Sequence, residues 1–125
     1  YGVNVPVFNE VEWASSEAIV PGLREGTAFR SNLAMANPEP AGGPSVTLSV
    51  TVRDDSGLVA GRLPSITLQP GERRQLNQVL RLAGKEGSGW VELRRISGAG
   101  RFVAYGVVND NQTGDGTVFR MVRSR

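Results

Sequence analysis

Histidine and cysteine are both missing from this 125-residue chain. Without histidine there can be no Ser-His-Asp triad, no imidazole general base and no histidine-liganded zinc. Without cysteine there is no disulfide, no thiolate metal site and no thiol nucleophile. A domain of this size buries enough core to fold without staples, so missing disulfides do not argue against secretion. Lysine is nearly absent too, with Lys85 alone beside 13 arginines, and the net charge is only +2. The two basic doublets, Arg73/Arg74 and Arg94/Arg95, lie in strand-like segments, where neighbours point to opposite faces and form no single basic patch. A nucleic-acid partner is therefore not expected. No apolar run approaches the ~20 residues of a membrane helix, so no membrane span is expected. The start at Tyr1, with no charged and apolar leader, reads as a mature chain or an excised domain.

What is present is punctuated sheet. Sixteen glycines and seven prolines are scattered between short apolar runs, which is turn chemistry rather than low complexity. Ser45–Arg53 alternates most cleanly, with Val46, Leu48, Val50 and Val52 on one face and Thr47, Ser49 and Thr51 on the other. Phe29–Asn37 and Gly89–Ile96 alternate in the same way, as half-buried strands do. Arg101–Val108 is apolar on both faces and predicts a covered strand, whose small Ala104 and Gly106 would let another element approach closely. Asp54–Gly57 and Pro70-Gly71 read as turns, as does Pro21-Gly22. Separate strands are expected at Leu58–Arg62 and Ile66–Leu68. Asn77–Ala83 predicts one short helix, with Asn77 as cap, Val79, Leu80 and Leu82 inward and Gly84 as the stop.

These elements predict one all-β domain over residues 1–125, an antiparallel β-sandwich of immunoglobulin-like architecture with a helix near 77–83. A small barrel is the alternative. Val3, Val5 and Val7 alternate across Pro6, so Tyr1–Trp13 reads as an edge strand, and residues 1–16 either pair within the chain or exchange with a neighbouring copy.

Three motifs, GLREGTAFRSNLAMANP (22–38), PGERRQLNQVLRLAG (70–84) and YGVVNDNQTGDGTVF (105–119), together resemble a family. Their order and spacing are similar to those of an uncharacterised immunoglobulin-like β-sandwich domain of large secreted or surface bacterial proteins. The resemblance covers about Ala18 to Val122. Asn109 stands where that family often has Asp, and Gly116 where Pro is common. The resemblance implies a non-catalytic extracellular or cell-surface module and names no ligand. It also implies that Arg30 and Asn32 hydrogen-bond loops such as the Asn109–Asp115 hairpin.

The candidate sites are few. Asp110 and Asp115, with Asn109, Asn111 or Thr113, offer oxygen ligands of the kind calcium takes, although the spacing is not that of an EF-hand. The same side chains could instead hold the turn by bonding the backbone, with no cofactor at all. As a carboxylate pair, Asp110 and Asp115 share one hairpin loop with no aromatic platform nearby, which argues against glycoside hydrolysis. Trp90, with Trp13, could form a carbohydrate platform or an interface edge. Val3, Val5, Val7 and Trp90 are the candidate interaction residues, and the expected partner is protein, copies of this chain included.

Overall fold

The structure, a computed structural model, describes residues 6–123. After a 3-10 turn at Glu10–Glu12 come β1 (Glu17–Glu25), β2 (Phe29–Ala36), β3 (Val46–Asp54), β4 (Val59–Leu68) and β5 (Arg73–Leu76). A short helix α1 (Val79–Leu82) leads to β6 (Gly87–Ser97), β7 (Val103–Asp110), β8 (Gly116–Arg120) and β9 (Val122–Arg123). The strands form a five-stranded sheet, β4-β3-β6-β1-β9, and a four-stranded sheet, β5-β2-β7-β8. All pairings are antiparallel. The result is a β-sandwich, and since both sheets end, among the described residues, in edge strands with no further partner, it is not the alternative barrel.

Alternation explains the core. Val46, Leu48, Val50 and Val52 of β3 are buried, as are Val91 and Leu93 of β6, Leu33 and Met35 of β2 and Phe102 before β7. Fully burying one such side chain contributes roughly 1.5–3 kcal/mol. The small residues of β7 set the distance between the sheets. A Cβ on Gly106 would stand 2.6 Å from Leu23 and 2.9 Å from Val20 of β1, so the opposing sheet occupies the space that a side chain would need.

Four expectations change. Pro21-Gly22 is a bulge inside β1 and not a turn. The β1–β6 register shifts between Val20 and Leu23, and Gly22 takes φ +79, where glycine is at home. Leu58–Arg62 and Ile66–Leu68 belong to the single strand β4. Pro64 is tolerated there because β4 is an edge strand whose pairing register breaks near it. Helix α1 is shorter than residues 77–83, and Gln78, at φ 52, precedes it in place of an Asn77 cap. Val79 and Leu80 point inward, but Leu82 is 57% exposed.

The fourth change concerns the N-terminal strand. Val3 and Val5 lie outside the described residues. Val7 is exposed and belongs to no strand, and the segment turns at Glu10–Glu12 instead. Glu12 accepts the Asn9 N–H at 2.8 Å, a local bond that closes the 3-10 turn and competes with strand pairing. Residues 6–13 then lie as a strap on the four-stranded sheet. Arg101 sits over the Trp13 ring at 4.7 Å and bonds Glu10 at 3.0 Å. Arg120 sits over the Phe8 ring at 4.3 Å and bonds the Val7 carbonyl and Glu12. Pro6 and Phe8 border Ala34, Val103 and Tyr105 on the outer side of the sheet, so the strap covers part of the second apolar face of β7.

Candidate functional site

The Asn109–Asp115 hairpin is held by its own polar groups. Asp110 Oδ1 accepts the N–H groups of Gln112 at 2.8 Å and Thr113 at 3.2 Å. The Asp110 carbonyl accepts the Gly114 N–H, and Thr113 Oγ1 accepts the Asp115 N–H. Asn111 docks the hairpin on the β1–β2 turn. Its amide donates to the Thr27 carbonyl at 3.0 Å and its Oδ1 accepts from Arg30 at 2.7 Å. The expected Arg30 contact is thus present. Asn32 goes elsewhere, accepting the Gln78 N–H at 3.0 Å and fixing the corner before α1. Among the described residues, no three Asp or Glu side chains converge as a metal-holding group.

The outer side of the five-stranded sheet is a charged ladder around Trp90. Glu92 pairs with Arg53 at 3.1 Å, and Arg94 pairs with Glu17 at 3.1 Å. Arg53 lies over the Trp90 ring at 5.7 Å. Trp13 is not beside Trp90, since it belongs to the strap on the other sheet.

Three carboxyls are held below their ordinary values. Glu39 is lowered by the bonds it accepts from the Arg101 guanidinium, and then by the Arg101 N–H. Glu12 is lowered by the Asn9 N–H and then by Arg120. Asp54 is lowered by the Ser56 hydroxyl and the N–H groups of Leu58 and Ser56, which cap the β3–β4 turn. Each is committed to holding a segment in place, as ionised acceptors of several donors are.

A cleft of about 600 Å³ lies on the β1/β8 flank. It arises from topology. β8 pairs with β7, but after Met121 the chain crosses sheets and β9 pairs with Ala18 and Ile19 of β1. The two sheets are sewn together there and diverge beyond the β1 bulge. Phe29, Phe119, Leu23 and Val108 line the interior, with Trp90 and Pro21 beside them. Arg24, Asp55, Ser88 and Thr117 supply the polar groups. Arg24 lies over the Phe29 ring at 5.1 Å. Of these residues, only Trp90 was singled out from the sequence. The others come from separate segments, and the one local signal was Pro21-Gly22, which marks the bulge where the sheets part.

The chain matches no protein-family model, and no curated protein matches it. Among solved structures it is similar to that of Thermotoga maritima 1070, with a TM-score of 0.64 over 89% of this chain and 96% of that one. The two sequences are 8% identical, so the likeness shows a shared fold and nothing of function.

Proposed function

We propose that this chain is a non-catalytic interaction module of a secreted or cell-surface bacterial protein, and that it associates with protein partners, copies of itself included, through the free edge of β8. The motif resemblance supports the setting. The lack of histidine and cysteine, and the commitment of Asp110 to its own turn, support a role without catalysis.

The observation that carries the reading is an asymmetry among the sheet edges. β4 is blunted by Pro64 and an irregular register. β5 is four residues long and exposes Arg73, Arg74 and Gln75. β9 has two described residues, Val122 and Arg123, and beyond it the open side of β1 is plugged. The Arg24 N–H donates to Ser31 Oγ at 2.7 Å, and the Ser31 hydroxyl donates back to the Arg24 carbonyl at 2.5 Å. These are the devices by which edges avoid pairing with other chains. Among the described residues, β8 has none of them over Gly116–Phe119. The Asp110 N–H bonds Asp115 and the Met121 N–H bonds Ala104, and antiparallel alternation between these points turns the backbone groups of Gly116, Val118 and Arg120 away from β7. A strand added there would complete the ladder.

Sedimentation velocity over a concentration series tests the reading. The natural chain should form a concentration-dependent dimer. Val118→Pro, which removes an outward N–H, and Val118→Lys, which leaves the ladder intact, should both be monomeric and folded. A chain that stays monomeric at millimolar concentration, or a dimer that neither variant disturbs, would overturn the reading.

A further inference from the structure

We infer that the cleft between β1 and β8 is a binding site for a neutral saccharide. This goes beyond the edge-pairing reading and rests on different groups, because Val118 is on the outer side of β8, whereas Thr117 and Phe119 line the cleft. The first observation is size, since a concavity of about 600 Å³ falls within the ~300–1,000 Å³ of small-molecule sites. The second is the state of its polar groups. Among the described residues, the exposed side chains of Asp55, Ser88 and Thr117 have no hydrogen-bond or ion-pair partner, and that of Arg24 meets only the Phe29 ring. Donors and acceptors without internal partners, gathered at an aromatic recess, are the pattern of a ligand site.

Charge complementarity selects the occupant. Arg24 disfavours a cation and Asp55 disfavours an anion, so the matched ligand is neutral overall. It must carry hydroxyls that both donate to Asp55 and accept from Arg24, as a sugar's do. It must also present apolar C–H faces to Trp90, Phe29 and Phe119, since aromatic rings at such sites contribute a large contact area. A pyranose ring or short neutral oligosaccharide meets all three demands. An extended peptide would satisfy the rings but would leave the polar side chains of the cleft less well matched.

The test is amide chemical-shift mapping on the full chain with cellohexaose, mannohexaose, xylohexaose and chitotetraose, beside oligogalacturonate and an unstructured peptide as controls. At least one neutral oligosaccharide should shift the amides of Leu23, Gly89 and Thr117 at millimolar concentration. Trp90→Ala should weaken that binding by about tenfold or more, as loss of an aromatic anchor does. Arg24→Ala, whose exposed side chain meets only the Phe29 ring among the described residues, should weaken it with unchanged melting, which keeps the test valid if Trp90→Ala unfolds. The proposal is overturned if no neutral oligosaccharide shifts these amides. It is equally overturned if the galacturonate or the peptide binds in their place, or if Arg24→Ala leaves the affinity unchanged. Because oligomeric state is read separately with the Val118 variants, failure here and failure of edge pairing are distinguishable.

Discussion

The two flanks of the sandwich solve the same geometric problem in opposite ways. On each flank the sheets end and their inner faces would meet water. On the β4/β5 flank the connection to β6 folds inward as α1 and inserts Val79 and Leu80, both at 0% exposure. β4 makes room for it. A Cβ on Gly61 would stand 2.6 Å from the Ala83 carbonyl oxygen. What remains there is a mostly apolar recess of about 350 Å³, lined by Pro64, Ile66, Leu76 and exposed Leu82 together with Ser65 and Arg74, with no aromatic ring. On the β1/β8 flank no connection folds inward. The chain only switches sheets at Met121, and past that stitch the flank stays open as a cleft with aromatic and polar walls. A corner that contributes side chains fills a flank, whereas a strand that changes sheets closes only the end it crosses.

The largest effect that would break this contrast is loss of the plug. Leu80→Ala should destabilise the protein by about 2–5 kcal/mol, the range for truncating a fully buried leucine. Urea unfolding followed by far-UV circular dichroism measures it. A loss below about 1 kcal/mol, at the level of an ordinary surface change, would mean that α1 covers the flank without sealing it. The corner also contains a local penalty. Gln78 is the one non-glycine residue at positive φ among those described, a conformation that costs roughly 1–2 kcal/mol. The Asn32 bond to its N–H and the burial of the next two residues offset that cost.

The sequence made the sheets legible, and the flanks much less so. Alternation in β3 and β6, and the two-sided apolar character of β7, identify strands because one buried face imposes a period of two. Asp54–Gly57 and Pro70-Gly71 identify turns because their chemistry is local, with Gly57 and Gly71 both at positive φ. Pro21-Gly22 carries the same local chemistry, yet there the chain continues as strand with a bulge. The difference lies in distant β6, which pairs with β1 on both sides of the bulge, Val20 with Val91 and Leu23 with Gly89. The strap misleads in the same way. The spacing of Val3, Val5 and Val7 suggests a strand as far as Trp13, but in its described part, from Pro6 on, Asn9 and Glu12 close a turn, and distant Arg101 and Arg120 decide where it lies. The cleft was least visible, because Arg24, Phe29, Asp55, Ser88 and Thr117 converge only once both sheets exist.

A smaller effect separates the plug from the polar fastenings. The α1 flank is held by aliphatic side chains that do not titrate. The strap and its surroundings depend on Glu39 and Glu12, whose carboxyls are held below the ordinary 4.5. A depressed folded value means that their stabilisation is fully present above 4.5 and is lost as pH falls through the lower folded values. Acid should therefore loosen the strap before the sheets. In a Trp90→Phe variant, emission from Trp13 should shift to the red on acidification while the far-UV β signal persists. Simultaneous loss of both signals would show that the strap and the sandwich are one cooperative unit.

The smallest expected change tests whether the polar groups of the cleft belong to the fold at all. Arg24 is informative because its two halves differ. Its backbone N–H and carbonyl are both bound by the Ser31 hydroxyl, at a position with 0% exposure. Its side chain reaches outward and, among the described residues, meets only the face of Phe29. If the side chain is free for a ligand, Arg24→Ala should leave stability within about 0.5 kcal/mol of the natural chain, as surface changes away from structural features do. If the backbone is the structural half, Ser31→Ala should cost about 1–3 kcal/mol, because it strands an N–H and a carbonyl that its hydroxyl had satisfied. The ratio of the two losses, measured by the same urea titration, is the decisive quantity. Equal losses would make the Arg24 side chain part of the fold, and the cleft a gap with no free groups to offer.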